Sequence, residues 1–253
     1  WREIFLALAG ITLAVSIWLF LSVPERDGRR EPEPLAVQWA GVSEVFGSAH
    51  FWRFAPLGLT ITGGFLAVQS LWSVSWLMQV NGYTRESAAE HLAGMSVAML
   101  LTYILLGLLA TRLARRGITP VTLLAGGLGL SLLMLALIAS EAVPQTQLLW
   151  IAYGTFSSCA PLAFSQTAAG FPVALSGRAT TAFHLMVFVG AFVAQWGLGL
   201  LIDLLQASGQ SAALAHRHTF LTLLALQTLA YAWFLIAGCR RRRQPATTAG
   251  DQR

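Results

Sequence analysis

The chain has 253 residues, 56% of them hydrophobic and only 11% charged, with a mean hydropathy of +0.64. A soluble domain carries about 25% charged residues, so a water-soluble class is excluded and an integral membrane protein is indicated. The net charge of +5 does not argue for a nucleic-acid partner: every basic residue is Arg, and most lie between apolar runs or in the tail.

Seven apolar stretches reach the length of about 18 residues that reads as a membrane span. The first covers residues 4–23 and ends at Pro24 and a charged run. It has no small-residue cleavage site behind it, so it reads as a true span rather than a signal peptide. The chain opens at Trp1, not Met, which suggests part of something longer. Residues 24–53 form a linker, polar and Pro-rich at first. It continues with Trp39, Val42, Val45 and Phe46 at helix-like spacing, as a stretch lying on the membrane surface would. Phe51, Trp52 and Arg53 anchor the next span at the interface.

The second span, 54–80, contains Pro56, Gly58, Gly63 and Gly64, which predict a bend or close packing. The third, 88–109, closes in a loop holding Arg112, Arg115 and Arg116. The fourth, 119–139, offers Gly126, Gly127 and Gly129 for close packing. The fifth, 148–170, is interrupted by Gly154 and Pro161. Residues 171–178 turn the chain into the sixth span, 179–205, with Gly190, Gly197 and Gly199. The seventh covers 219–238, and a basic tail, 239–253, reads as disordered.

With residues 24–53 cytoplasmic and the spans alternating, only Arg2, Arg85 and Arg217 of the sixteen basic residues fall outside. The N-terminus is then external and the C-terminus cytoplasmic.

The loop pattern Gly107, three residues, Thr111, Arg112, one residue, Ala114, Arg115, Arg116 resembles a signature loop of the major facilitator superfamily of transporters. The family's fuller form has Asp where this chain has Thr111 and Gly where it has Ala114. The alternative is a positive cytoplasmic turn with no special role. The opening Trp1-Arg2-Glu3-Ile4-Phe5 and the closing Val23-Pro24-Glu25-Arg26 resemble the sixth helix of a twelve-helix facilitator. Residues 172–179, with Gly199 and Asp203, look like the turn and eleventh helix of bacterial members.

The resemblance implies an all-α integral membrane fold with seven transmembrane helices. Six of them, 54–238, would form one half of a major facilitator fold, after the helix at 1–23 and the linker at 24–53. It implies secondary transport of a small solute by alternating access in a bacterial inner membrane, with the bilayer and a missing N-terminal half as partners. Gly107, Thr111, Arg112, Arg115 and Arg116 would then gate the cytoplasmic side near residues 178–181. A non-transporting scaffold or receptor-like seven-span protein is the other reading.

Candidate path residues follow from helical spacing. Gln69, Trp72, Ser73 and Trp76 stand at i, i+3, i+4 and i+7, which puts them on one helical face. Ser157 and Ser158 lie near mid-span, with Pro161 beyond them. The first helices of two proposed three-helix repeats thus carry both an interruption and a polar group, the mark of a midplane transport site. Interhelical packing is the alternative for each. His184, about 9 Å into the sixth span, could relay protons, line the path or bond a neighbouring helix. Asp203, Glu86, Glu90 and His91 sit at span ends and read as interfacial or solvated.

Other chemistry is not called for. A serine–histidine protease dyad lacks its sequence context, and a retinal protein needs a Lys that this chain lacks. Cys159 and Cys239 differ in depth, so no disulfide is expected. No nucleotide loop, HExxH or zinc spacing is present, so neither metal nor cofactor is expected and the protein does not read as an enzyme.

Overall fold

The computed structural model describes residues 2–22, 34–141 and 146–243, and every described element is a helix. The chain forms two compact units, Trp1–Gln38 and Trp39–Arg253. The linker arginines Arg26, Arg29 and Arg30, Pro24 and Pro32, and the tail beyond Arg243 lie outside the described residues.

The first unit holds α1, Arg2–Ser22, with no buried residue. Its 21 residues reach about 31 Å, one bilayer core. Thr12 and Ser16 donate to the carbonyls of Leu8 and Thr12 one turn back, which satisfies both hydroxyls within the helix.

The second unit opens within α2, Leu35–Gly47, at Trp39 and continues as a six-helix bundle. The stretch expected on the membrane surface is this helix. Trp39 is exposed, but Val45 is buried in the core and Gly41 packs against the Arg178 side chain, so one face of α2 is seated on the bundle.

Helix α3, Ala49–Gln79, is one continuous run with two π-helical stretches, Leu57–Thr62 and Val68–Trp72. The cause of the first is legible. Pro56 has no N–H for the carbonyl of Trp52, four residues back. That carbonyl accepts instead from Trp233 Nε1 at 2.7 Å, and the Thr60 carbonyl accepts from Gln227 Nε2 at 3.1 Å. A neighbouring helix thus supplies a donor to the carbonyl that the break leaves open, and a further donor to Thr60, which also accepts from the Gly63 N–H. The expected close packing is present too. A Cβ on Gly63 would come within 2.7 Å of the Val187 carbonyl, and one on Gly190 would strike the backbone of Leu59. Backbone meets backbone here, which only glycine allows.

Helix α4, Arg85–Arg115, runs past the predicted end of its span. The structure corrects the arginine loop: Gly107, Thr111, Arg112 and Arg115 are helical and Arg116 is the C-cap. The turn itself is Gly117, at φ +77°. Nothing from Leu108 to Arg116 breaks a helix, because Ala114 stands where the fuller signature has Gly. Arg112 and Arg115 in the last turn also suit the negative end of the helix dipole.

Helix α5, Pro120–Ser140, starts at an N-cap Thr119 that accepts from the Thr122 N–H at 3.2 Å, with proline at its first position. Helix α6, Thr146–Ala168, is broken between Ser157 and Leu162. Across the break the bonds shorten to i→i+3, Ala160 N–H to Ser157 and Leu162 N–H to Cys159, as the Pro161 interruption predicts. Helix α7, Val173–Ala207, absorbs most of the predicted turn at 171–178, so Arg178 is helical. Helix α8, Ala212–Arg243, is longer than the predicted 219–238.

Two buried clusters fill the bundle. One, around Phe54, Phe183 and Phe234, lies toward the end where α3 begins and α8 finishes; the other, around Trp76, Trp150 and Phe220, lies toward the opposite end. Arg53 and Arg178 belong to the first end, Arg85 and Arg217 to the second, where Arg217 pairs with Glu141 at 3.1 Å. The alternation of ends read from the arginines is the alternation in the bundle.

Candidate solute path

The α3 residues expected on one face are divided. Gln69 is half-buried and points its Nε2 at Met99 Sδ of α4, 3.5 Å away. Trp72 turns to the other side: its ring lies 6.4 Å from His216 of α8 and within 3.3 Å of where a Gly199 Cβ would stand. Ser73 is buried and donates to the Gln69 carbonyl, and Trp76 is buried with its ring 4.5 Å from Phe220. The reason is the π-helical stretch Val68–Trp72, which widens each turn and shifts the face by part of a residue.

On α6, Ser157 is buried and shares a 2.7 Å hydrogen bond with Ser131 of α5. Ser158 is buried and donates to the Gly154 carbonyl. Pro161 is exposed. The two serines tie the core, and of the three α6 residues only Pro161 reaches the bundle surface.

His184 is exposed, and its Nδ1–H donates to the Thr180 carbonyl of its own helix at 3.0 Å rather than to a neighbouring helix. Its ring lies 4.2 Å from Phe164 of α6 and 6.4 Å from Phe188. Neither Ser157 nor Ser158 bonds to it, so no dyad forms among the described residues. Arg112, Arg115 and Arg116 are exposed and form no ion pair with α7 among the described residues. Glu86, Glu90 and Asp203 are exposed, and His91 is half-buried with its ring 4.8 Å from Tyr83.

One pair was not singled out by sequence. Gln195 Nε2 of α7 donates to Ser70 Oγ of α3 at 3.0 Å, and both residues are exposed. Gln195 lies five residues, about 7 Å, from the midpoint of α7. His184, Phe188 and Gln195 stand at i, i+4 and i+11 and share one helical face. On α3, Leu66 is exposed one turn before Ser70. The signal for the pair was available: Gln195 is the one amide in a long apolar run, and Ser70 directly follows Gln69. Ser70 Oγ in turn donates to the Ala67 carbonyl at 3.4 Å, so the pair is tied to the backbone of α3. Among the described residues no cluster of metal-binding side chains occurs.

A sequence model described as Major Facilitator Superfamily matches residues 1–195. A search of curated proteins found no match. Among solved structures, the chain is similar to a major facilitator superfamily transporter, FucP, in the outward conformation. That likeness has a TM-score of 0.65 at 17% identity over 96% of this chain and 55% of the other. A second structure, of the E. coli fucose:proton symporter FucP, gives a TM-score of 0.62 at 19% identity with the same coverage. At such identity the likeness establishes the fold, and the chain spans a little over half the length of the structures it matches.

Proposed function

The chain belongs to the major facilitator superfamily, and from that premise we propose that it carries a small solute across a bilayer by alternating access. In this reading the bundle at 39–243 is one of two halves that rock around a shared site, and a further six-helix half faces it. The residues at 1–23 act as the helix before the inter-half linker, with that linker and the C-terminal tail on the cytoplasmic side of a bacterial inner membrane.

The observation that carries the proposal is the Ser70–Gln195 pair, an exposed hydrogen bond between the hydroxyl of one apolar helix and the amide of another. We assign the solute face to Gln69, Ser70 and Gln195, with Pro161, His184 and Phe188 along it. Ser73, Trp76, Ser157 and Ser158 hold that face from behind, and Trp72 packs at its edge. The face carries amides, hydroxyls and rings but no fixed charge apart from an ionisable imidazole, which suits a neutral or weakly charged organic solute.

The test is uptake by the complete protein carrying Gln195→Leu, Gln69→Ala or Trp72→Ala, with surface expression as control. Each lost amide bond should raise apparent KM about three- to tenfold, the equivalent of about 0.5–1.5 kcal/mol. Trp72→Ala should act mainly on rate. Normal KM and rate in all three would move the path elsewhere.

A further inference from the structure

Resting on the solute face assigned above, we propose that the open edge of the Gln195 amide selects an uncharged planar ring that carries a hydrogen-bond donor beside an acceptor, as a lactam or a pyrimidinedione does.

The polarity of that amide is settled by its neighbour. The Ser70 hydroxyl donates to the Ala67 carbonyl at 3.4 Å, so its proton is spent and Oγ is left as an acceptor. Gln195 must therefore turn Nε2, not Oε1, toward Ser70, and it does so at 3.0 Å. One N–H of the amide is used in this bond. The other N–H and Oε1 have no partner among the described residues, and Gln195 is exposed. What remains open is a donor and an acceptor on one rigid plane, in a fixed order. Close packing of α3 on α7 does not depend on this amide, because the two helices already meet backbone to backbone at Gly63 and Gly190.

The surroundings of the amide narrow the class. Phe188 and Phe192 are 64% and 68% exposed. They precede Gln195 by about 10 Å and about 4.5 Å along α7, and both stand within about a sixth of a turn of it. Ring faces beside a planar amide edge favour a flat solute, which stacks while its own edge is bonded. A sugar hydroxyl donates or accepts as needed, so it does not distinguish a fixed amide polarity from its reverse. The charged side chains of α7 are Arg178 and Asp203, about 25 Å and about 12 Å from Gln195 along the axis. No charge is therefore asked of the ring.

The complete protein carrying Cys239→Ser and Leu66→Cys separates this proposal from the reading beneath it. Leu66 is exposed one turn before Ser70. A water-soluble maleimide should label Leu66→Cys, because thiol attack needs the thiolate and hence water. No labelling above the Cys239→Ser background would remove the solute face and this proposal with it. Millimolar uracil should slow the labelling about threefold, as about two-thirds occupancy of the site would. Dimethyluracil, the same ring with both N–H groups methylated, should leave the rate unchanged. Equal protection by the two, or protection by neither, would keep the face and overturn the edge. Gln195→Met keeps the length of the side chain and should abolish protection by uracil. Gln195→Glu makes the edge acceptor-only. It should lose uracil and gain protection by the aminopyridinium ion, whose ring N–H and amino N–H are adjacent donors. A packing role for Gln195 would move neither preference. Protection by uracil that survives Gln195→Met overturns the proposal, and if that variant does not yield folded protein, the exchange of preference in Gln195→Glu decides the matter.

Discussion

Pro56 has no N–H, so the carbonyl of Trp52 lacks its usual partner within the helix, and the Trp233 indole donates to it at 2.7 Å. Gln227 donates to the Thr60 carbonyl, and the Tyr231 hydroxyl donates to the Ala125 carbonyl at 2.8 Å. Helix α8 therefore acts as a row of side-chain donors to the backbones of α3 and α5. Trp233→Phe keeps the ring and removes the donor. It should lower thermal stability by about 0.5–1.5 kcal/mol, the net worth of one hydrogen bond. Trp39→Phe, at a position 71% exposed, should change little. Equal melting temperatures for both variants in detergent would mean that Trp233 contributes packing alone.

At the scale of the helix, apolar periodicity located all seven spans and the composition located their interruptions. Pro161 gave the break in α6, and Gly63 and Gly190 gave the close approach of α3 to α7. What was not legible is what three-dimensional packing decides. A π-helical stretch has no strong sequence mark, and the one at Val68–Trp72 parts residues that an ideal helix would align. That is why Trp72 and Gln69 turn to different neighbours, and why Ser70 rather than Ser73 meets Gln195. Helix ends were read short wherever charged or polar residues continued a helix beyond the apolar run, at Arg112–Arg115 and at Arg178. Arginines in a regular last turn are displayed on a rigid stem rather than in a loose loop. Because Arg112 is exposed and has no ion-pair partner among the described residues, Arg112→Ala should leave insertion and melting temperature intact. In the proposed transporter it should still reduce uptake severalfold, since the stem would meet moving parts beyond this bundle; the unpaired arginine leaves ~1 kcal/mol or less to be lost from the fold itself. Unchanged uptake would leave the arginines only a topological role.

For the whole molecule, the arginine distribution and the bundle agree on which ends lie together. Arg53, Arg178 and the α8 terminus share one end, while Arg217 and Glu141 pair at the other. The remaining question is which end faces the cytoplasm. The positive-inside bias acts on short loops within about 15–20 residues of span ends, and the arginines at 112–116 lie in such a connection. Reversing the chain would place every arginine except Arg2, Arg85 and Arg217 on the outer side, against that bias. We therefore expect Thr111 and Thr247 both to be cytoplasmic. Thr111 is an exposed position on the final turns of α4, so a cysteine there would be reachable; Thr247 lies in the tail outside the described residues. Cys239 is exposed and Cys159 buried, so the experiment begins from Cys239→Ser to remove the reactive background. Thr111→Cys and Thr247→Cys are then labelled separately in intact cells with a membrane-impermeant maleimide. Both should react only after the membrane is opened. Labelling of both from outside would invert the topology, and labelling of one alone would mean that the number of spans between them is odd.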